Sequence, residues 1–212
     1  MESIKKAGLL ITIEGIEGSG KSTLAHVLAD KLSAEGLNVI LTAEPGGDPI
    51  AESIRSLLLR GNQAMDPKTE LFLFMASRAQ LVSNVIKPHI EHGGIVVCDR
   101  YTDSTLVYQG CGRGFDTEWL RQLNDFATGG LVPDLTILLD LPVEIGLKRQ
   151  EVSDRIGGEP EEFHEAVRKG YLKLAETEPK RFAVIDASAE AAVVEKSAIA
   201  EISRRLPQPK II

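Results

Sequence analysis

The sequence predicts one α/β domain, an open sandwich built around a parallel β-sheet. Short apolar runs alternate with segments of helical period from one end of the chain to the other, and this alternation is typical of βαβ units. The 212 residues suffice for one sizeable core and contain no internal repeat, low-complexity segment or long linker. Ligands of such sheets bind beyond the carboxyl ends of the strands. Functional residues are therefore expected directly after the apolar runs.

Five apolar runs are predicted to form the strands, and seven longer periodic segments are predicted to form the helices. The strands are expected at 9–14, 38–42, 94–98, 134–140 and 182–186. The helices are expected at 21–35, 49–60, 67–91, 116–127, 142–152, 161–176 and 189–205. The last helix leads into the proline-containing stretch LPQPKII.

The first strand and helix flank a phosphate-binding motif, ITIEGIEGSGKST (residues 11–23). Gly15, Gly20, Lys21 and Ser22 satisfy the spacing G-x-x-x-x-G-K-[ST], which defines a P-loop when it joins a strand to a helix. The glycines let several backbone N–H groups point at one anion, and the helix dipole adds to their attraction. Lys21 is expected to reach the outer phosphates, and Ser22 to ligate a bridging Mg²⁺. The alternative is an ordinary glycine-serine turn before a helix.

Two segments after the P-loop bear on the acceptor of the phosphate. TAEPGGDP (42–49) follows the second strand and forms a turn that faces the P-loop. LFLFMASRAQ (71–80) places Phe74 and Arg78 four residues apart, on one face of a helix. A flat ring beside a rigid donor can stack on a base and bind its edge. Alternatively, Phe74 belongs to the core and Arg78 pairs with an acid.

The third strand supplies charged residues at its end, in IVVCDRYTDSTLVYQG (95–110). Asp99 can hold Mg²⁺, often through water, and Arg100 can bind a phosphate with its forked guanidinium. The alternative is that these two residues only pair with each other. Further along, RQEVSDRIGGEPEEF (149–163) is rich in charge and glycine, which fits either a mobile lid or a solvated connection.

Composition and charge exclude several classes of function. The formal charge of −7 and the pI near 5.2 argue against a nucleic acid polymer as the main partner. Cys98 and Cys111 are too few for a disulfide framework and lack metal-ligand spacing, so they indicate a reducing compartment. The N-terminus lacks signal-peptide features and no apolar run has membrane-spanning length, so a cytoplasmic location is expected. The four histidines show no ligand spacing: His26, His89, His92 and His164.

These motifs together resemble the thymidylate kinase family, in the expected order and over nearly the whole chain. The resemblance rests on EGIEGSGKST, EPGG, LFMASRAQ, DRYTDSTLVYQG and DRI followed by EFHEAVRKGYLKLA. It implies a P-loop NTPase-type three-layer sandwich with a five-stranded parallel sheet, in one kinase domain (1–212) with a lid at about 149–162. It also implies Mg²⁺ with ATP as phosphoryl donor, dTMP as acceptor, dTDP and ADP as products in dTTP synthesis, and a homodimer packed through helices.

The resemblance also implies roles for individual residues. ATP-binding positions are Gly15, Gly18, Ser19, Gly20, Lys21, Ser22 and Thr23. Positions that bind dTMP are Glu17, Glu44, Pro45, Phe74, Arg78, Arg100, Ser104, Thr105, Tyr108 and Gln109. Metal positions are Ser22 and Asp99, and catalytic positions are Lys21, Asp99, Arg100, Arg149 and Arg155. Among these, Phe74 is expected to stack on thymine, Arg78 to reach its exocyclic oxygen, and Glu17 to face the sugar.

The chain departs from the family pattern at a few positions. Many bacterial relatives carry arginine and threonine where this chain has Ala43 and Asp48. One branch of the family places an arginine inside the P-loop, but here the variable positions 16–19 hold no basic residue. The charge for the transferred phosphate is then expected from the lid, which offers Arg149 and Arg155. The alternative is that both are solvated charges at helix ends.

Two other functions remain as alternatives. A P-loop kinase for another small acceptor shares the P-loop, and it differs by lacking the set of Phe74, Arg78 and Gln109. A GTPase-like switch or an assembly ATPase requires a guanine-reading Asn-Lys-x-Asp motif or sensor arginines, and the sequence contains no Asn-Lys-x-Asp. An ADP-release assay with and without dTMP separates these functions.

Overall fold

The computed structural model describes residues 8–59, 64–150 and 154–205, and it contains a five-stranded, fully parallel sheet. The strands are β1 (Leu9–Gly15), β2 (Val39–Ala43), β3 (Ile95–Asp99), β4 (Leu135–Asp140) and β5 (Phe182–Asp186). Their order across the sheet is β2-β3-β1-β4-β5. The predicted parallel sheet of five strands is confirmed.

Helices lie on both faces of this sheet. They are α1 (Lys21–Ala34), α2 (Pro49–Leu59), α3 (Pro67–Leu81), α4 (Lys87–Glu91), α5 (Thr102–Thr105), α6 (Thr117–Thr128), α7 (Val143–Arg149), α8 (Glu161–Thr177) and α9 (Ala191–Arg205). A π-helical turn, Val82–Ile86, joins α3 to α4, so the helix predicted at 67–91 is one continuous rod. Among the described residues, no helix is both long and apolar enough to cross a membrane.

The prediction of the helices was wrong in two places. A helix over 102–112, consisting of α5 and the π-helical Leu106–Gly112, was not predicted. The helix predicted at 142–152 ends at Arg149, because Gln150 is already extended. Its last predicted residues, 151–152, lie outside the described residues, as does position 60 at the end of the helix predicted at 49–60.

The sheet separates two apolar clusters, which makes the fold a three-layer sandwich. Successive residues of a strand point to opposite faces, so Leu10 and Val96 pack in one cluster while Ile11 and Val97 pack in the other. All four side chains are inaccessible to solvent. The central strands are therefore apolar on both faces, as expected for a parallel sheet covered by helices.

The strand order brings three loops to one edge of the sheet. Asp99 at the end of β3 is in register with Ile13 of β1 and Ala43 of β2. The P-loop, the turn after β2 and the segment after β3 therefore start side by side. α7 closes one side: Gly18 has a φ of 69°, and a Cβ there would lie 2.0 Å from the carbonyl oxygen of Gly146. Only glycine permits this approach of the P-loop to α7.

Candidate active site

A cavity of about 670 Å³ lies at this edge of the sheet. Its walls come from the P-loop, the turn after β2, α2, α3, the helix over 102–112 and the segment that precedes α8. Clefts of this size suit a small organic ligand. The cavity therefore lies where an open α/β sheet is expected to bind its ligand.

Lys21 lies at the P-loop end of the cavity, and it is only 7% exposed. Its Nζ donates to the Ile16 carbonyl oxygen at 2.6 Å and lies 3.3 Å from Ser19 Oγ. Burial is the main reason that the pKa of Lys21 falls to about 8, and the nearby Arg100 charge lowers it further. The structure thus holds a cation whose charge is poorly solvated, and an anionic phosphate would compensate it.

Ser22 and Asp99 bring two oxygen ligands together beside Lys21. Ser22 Oγ donates to Asp99 Oδ2 at 2.5 Å, and Asp99 Oδ1 is buried without a hydrogen-bond partner. Mg²⁺ takes one or two protein oxygens and fills its other positions with water and phosphate. In the part of the chain that the structure describes, no group of three or more His, Cys, Asp or Glu side chains could hold a metal. Ser22 and Asp99 therefore fit as the protein oxygen ligands of a Mg²⁺ ion whose other positions are filled by water and phosphate.

Glu17 is the centre of a polar cluster at the side of the cavity. It accepts from Arg100 Nη2 at 2.9 Å and from the Tyr108 hydroxyl at 2.7 Å, and His164 Nδ1 lies 3.1 Å away. Burial opposes its charge, but Arg100, His164, Lys21 and Tyr108 outweigh this effect and lower the pKa of Glu17 well below its usual range. Glu17 is therefore an ionised acceptor held in one orientation.

Arg100 adopts an unusual backbone conformation to reach this position. Its φ of 69° is the one positive value that a non-glycine residue has within the described residues. Its Nη1 donates to the Gly15 carbonyl oxygen at 3.1 Å, and its guanidinium lies 4.9 Å from the centre of the Tyr108 ring. Strained backbone of this kind is often found where a side chain must be aimed at a ligand.

Arg78 also lines the cavity, and it is only 1% exposed. Its Nε and Nη2 bind Glu44 Oε2 at 2.7 and 2.5 Å. Its Nη1 donates to Thr105 Oγ1 and Asn124 Oδ1, and its Nη2 also donates to the Tyr101 carbonyl oxygen. A guanidinium has five N–H groups, so every one of them is engaged. A ligand that accepts from Arg78 has to displace one of these acceptors.

Comparison with known proteins identifies the family. The family model described as thymidylate kinase matches residues 13–198. The chain belongs to the thymidylate kinase family. A thymidylate kinase from Desulfovibrio desulfuricans is 53% identical over 191 residues, which are 85% of this chain and 88% of that protein. One from Geotalea uraniireducens is 48% identical over 213 residues, which are 95% and 99% of the two chains.

A solved structure in the same family supports the fold. The crystal structure of thymidylate kinase from Ehrlichia chaffeensis superposes with a TM-score of 0.77. The two sequences are 36% identical, and the match covers 92% of this chain and 98% of that one. The predicted resemblance to the thymidylate kinase family, and with it the class of nucleoside-monophosphate kinases, is thus confirmed.

The cavity brings together the residues predicted to bind the family's acceptor. All of them line it: Glu17, Glu44, Pro45, Phe74, Arg78, Arg100, Ser104, Thr105, Tyr108 and Gln109. Gly18, Lys21, Ser22 and Asp99 line it as well, while Gly15, Ser19, Gly20 and Thr23 belong to the same loop and the first turn of α1. Arg100 binds Glu17 and Asp99 binds Ser22, which differs from the alternative of an Asp99–Arg100 pair. Arg78 does pair with an acid, Glu44, but it does so inside the cavity.

The two lid arginines lie away from the cavity wall. Arg149 is exposed, and its Nη1 donates to the Ala187 carbonyl oxygen at 2.8 Å. Arg155 donates to the Leu58 carbonyl oxygen at 3.0 Å and to Glu70 Oε2 at 2.7 Å, and its Nη2 is buried without a partner. Their catalytic role stays a prediction. Residues 151–153 of the predicted lid lie outside the described residues.

The segment before α8 does more than connect two helices. Ile156 is 7% exposed, and it lines the cavity together with Gln150 and Asp154. Asp154 Oδ1 accepts from the backbone N–H groups of Ile156 and Gly157 at 3.0 and 2.8 Å. The described part of this segment is therefore a structured wall of the cavity.

Several residues at or beside the cavity were missed by the sequence analysis, and Arg55, His164 and Glu14 are three of them. Arg55 of α2 lines the cavity, and its Nη1 donates to the Pro45 carbonyl oxygen at 2.5 Å. A cation on the helix that follows the turn after β2 is the signal that could have found it. His164 is inaccessible to solvent, and although burial disfavours its charge, Glu17 raises its pKa. No local sequence pattern reveals the contact between His164 and Glu17, because the two residues are far apart in sequence.

Glu14 of β1 is the third of these missed residues, and its hydrogen bonds hold the segment after β3 in place. It is inaccessible to solvent and accepts from Tyr101 N at 2.8 Å, and from Ser104 Oγ and the Tyr171 hydroxyl at 2.7 Å each. Burial, with the neighbouring Asp103 charge, raises the pKa of Glu14 to about 7. Through these hydrogen bonds, the Glu14 carboxyl group connects β1 to the segment that contains Arg100.

Proposed function

We propose that this chain transfers the γ-phosphate of ATP to dTMP, giving dTDP and ADP in the synthesis of dTTP. The observation that carries the proposal is the cavity that runs from Lys21 of the P-loop to the buried Arg78. One end of it suits the phosphates of a donor nucleotide, and the other presents a ring and a rigid guanidinium to a base. Glu17 and Arg100 line the same cavity.

At the donor end, the P-loop holds ATP. Its backbone N–H groups and Lys21 bind the phosphates, because a charge buried at this position gains most from an anionic partner. Ser22 and Asp99 hold Mg²⁺ together with the nucleotide. A Mg²⁺ ion held there would neutralise part of the negative charge of the ATP phosphates.

At the acceptor end, each group of the cavity wall meets one part of dTMP. Phe74 stacks on thymine, and Arg78 donates to its O4 atom in exchange for one of its present acceptors. Arg100 binds the acceptor phosphate, and Arg55, the second cation on this wall, adds to that charge. Glu17 faces the deoxyribose, beside Tyr108.

Phosphoryl transfer then needs mainly alignment and charge. The P-loop holds both cations, because Arg100 donates to the Gly15 carbonyl oxygen and Lys21 donates to the Ile16 carbonyl oxygen. The two phosphates are therefore positioned by one rigid loop. The lid arginines, Arg149 and Arg155, supply charge to the transferred group, since the P-loop carries no arginine.

The whole chain acts as one kinase domain (1–212) with a lid at about 149–162, and we assign it to a homodimer in the cytoplasm. Large apolar side chains support a second copy: Phe126 is 91% exposed, Leu57 61% and Phe72 55%. They lie on α6, α2 and α3, and α3 contacts both of the other helices. The cysteines, Cys98 and Cys111, are free thiols, in keeping with a reducing compartment.

A coupled assay for ADP tests the proposed function. With ATP and Mg²⁺ alone the rate should be close to background, and dTMP should raise it by orders of magnitude, on the order of a hundredfold or more. ATP hydrolysis that is equally fast without an acceptor would instead indicate a switch or a motor. Faster turnover of another monophosphate than of dTMP would indicate a kinase of different specificity.

A further inference from the structure

Glu70, in the first turn of α3, does not line the cavity, but it contacts a residue that does. It is 1% exposed, and its Oε1 accepts from Gln109 Nε2 at 2.9 Å. Its Oε2 pairs with Arg113 at 3.1 Å and with Arg155 at 2.7 Å. Burial opposes a charge on Glu70, but hydrogen bonds from Arg113, Gln109 and Arg155 outweigh it and lower the pKa. Glu70 is thus an ionised carboxylate that can only accept hydrogen bonds.

An ionised carboxylate at this place fixes the orientation of the Gln109 amide. A primary amide has a donor end, its NH₂ group, and an acceptor end, its carbonyl oxygen. Only the donor end can face Glu70, because the reversed amide would set two acceptors against each other and leave both unsatisfied. The carbonyl oxygen of Gln109 is then the end left for the cavity that this residue lines.

We propose that Glu70 is a positioning residue that sets the base specificity of the acceptor site by orienting the Gln109 amide. The proposal rests on the proposed function, since it concerns the base of the acceptor nucleotide. Thymine presents an acceptor, O4, next to a donor, N3–H. The donor Arg78 and the acceptor oxygen of Gln109 complement this edge.

Cytosine presents the opposite edge, an amino donor next to an unprotonated N3. It would place a donor against Arg78 and an acceptor against the Gln109 oxygen, and a buried polar group left unpaired is costly. Uracil has the same edge as thymine. Glu70 therefore discriminates dTMP from dCMP and does not discriminate dTMP from dUMP.

The test is Glu70→Gln, assayed with dTMP, dUMP and dCMP. A neutral amide at position 70 can donate as well as accept a hydrogen bond, so the Gln109 amide can rotate by a half-turn and exchange its NH₂ group and its carbonyl oxygen. We expect the ratio of kcat/KM for dTMP over dCMP to fall by about tenfold or more. The ratio for dTMP over dUMP should stay unchanged. Because the test compares ratios, a change in kcat that is common to all three nucleotides, as release of Arg155 would cause, cancels from the result.

Two further variants separate orientation of the amide from a merely structural role. Glu159 pairs with Arg113 at 2.6 Å, so Glu159→Gln removes a charge from the same network; it should leave the preference for dTMP over dCMP as it is. Gln109→Met removes the oriented amide, and its dTMP to dCMP ratio should fall as in Glu70→Gln. In the Gln109→Met background, adding Glu70→Gln should change that ratio by less than about twofold.

An unchanged dTMP to dCMP ratio in folded Glu70→Gln overturns the proposal. So does an unchanged ratio in Gln109→Met, and this outcome is decisive even where Glu70→Gln fails to fold. A parallel fall in the dTMP to dUMP ratio would also overturn it, because it would indicate general damage to the pocket. Failure of the parent protein to phosphorylate dTMP is a separate result, which contradicts the proposed function itself.

Discussion

At the scale of single residues, Lys21 carries its charge where solvent hardly reaches it. Burial lowers the pKa to about 8, so below that pH the folded protein bears the cost of a poorly solvated cation. We expect Lys21→Met to lose nearly all phosphoryl transfer. In the ligand-free state at pH 7 it should nevertheless be more stable than the parent, by about 1–2 kcal/mol. Urea unfolding of the two proteins measures this difference.

The sign of the pH effect provides a control for Lys21→Met. Between about pH 8 and the usual lysine pKa near 10.4, the unfolded parent binds a proton that the folded parent does not. The stability of the parent should therefore rise with pH in this window, relative to that of Lys21→Met. The advantage of the variant should shrink at pH 9.5. A variant that is less stable than the parent at pH 7 would show that the buried charge is not destabilising.

The backbone of Arg100 leads to a second prediction. At its φ of 69° a side chain with a Cβ is strained and glycine is not. Arg100→Gly and Arg100→Ala should both lose most activity, because both lack the guanidinium. Arg100→Gly should be the more stable of the two by about 0.5–1 kcal/mol, as measured by chemical denaturation.

A matched pair within a helix controls for the general effect of glycine. Gln122 is exposed in the middle of α6, where glycine is about 1 kcal/mol less favourable than alanine. Gln122→Gly should therefore be less stable than Gln122→Ala, the reverse of the order at Arg100. The same order at both positions would argue against strain at Arg100.

Sequence patterns predicted some residues of the site and left others out for a physical reason. Phe74 and Arg78 share a helix face because they are four residues apart, and this spacing is visible in the sequence. The partners of Arg78 come from distant segments, so no spacing predicts that all its donors are engaged. Arg55 was overlooked although it lies on the helix that follows the turn after β2, whereas His164 enters the site through tertiary contacts alone.

At the scale of elements, the helix over 102–112 shows where periodicity fails. Residues Leu106–Gly110 are all buried, so this turn has no polar face and no helical period can be recognised. The amphipathic helices, such as α6 and α8, have a polar face and were predicted. The predicted strands were recognised for another reason, as short apolar runs that alternate with helical segments, which is typical of a buried parallel sheet.

The segment between α7 and α8 leads to a third prediction. Arg155 is held by Glu70 and the Leu58 carbonyl oxygen, so it has to leave these partners to reach a phosphate. We expect Arg155→Ala to lower kcat by at least about tenfold with little change in dTMP affinity, and Arg149→Ala to act in the same direction. Steady-state kinetics of both single variants and the double variant measure this effect.

Lys148 offers a control for the lid arginines. It is an exposed cation on α7 that pairs with Glu144, and it neighbours Arg149 in sequence. Lys148→Ala should leave kcat within about twofold of the parent. If the double variant of Arg149 and Arg155 turns over as fast as the parent, another group stabilises the negative charge of the transferred phosphate.

At the scale of the whole molecule, the exposed apolar side chains of α2, α3 and α6 predict association. Phe126 is the most exposed of them, at 91%. Phe126→Glu should shift the protein from dimer to monomer in light scattering, because a charge opposes burial at an apolar interface. Val193 of α9 is 53% exposed, and Val193→Glu serves as the control that should remain dimeric. A parent protein that is monomeric at micromolar concentration would contradict the prediction.

The hydrogen bonds of Arg78 join four parts of the chain, because α3 meets Glu44 after β2, Tyr101 and Thr105 of the segment after β3, and Asn124 of α6. A free arginine loses about 1.5–2 kcal/mol of rotamer entropy when it is immobilised. Here that entropy is lost when the protein folds, before any nucleotide arrives. If a bound ligand accepted a hydrogen bond from Arg78, it would meet a side chain that is already ordered, so ordering this side chain would add nothing to the entropic cost of binding.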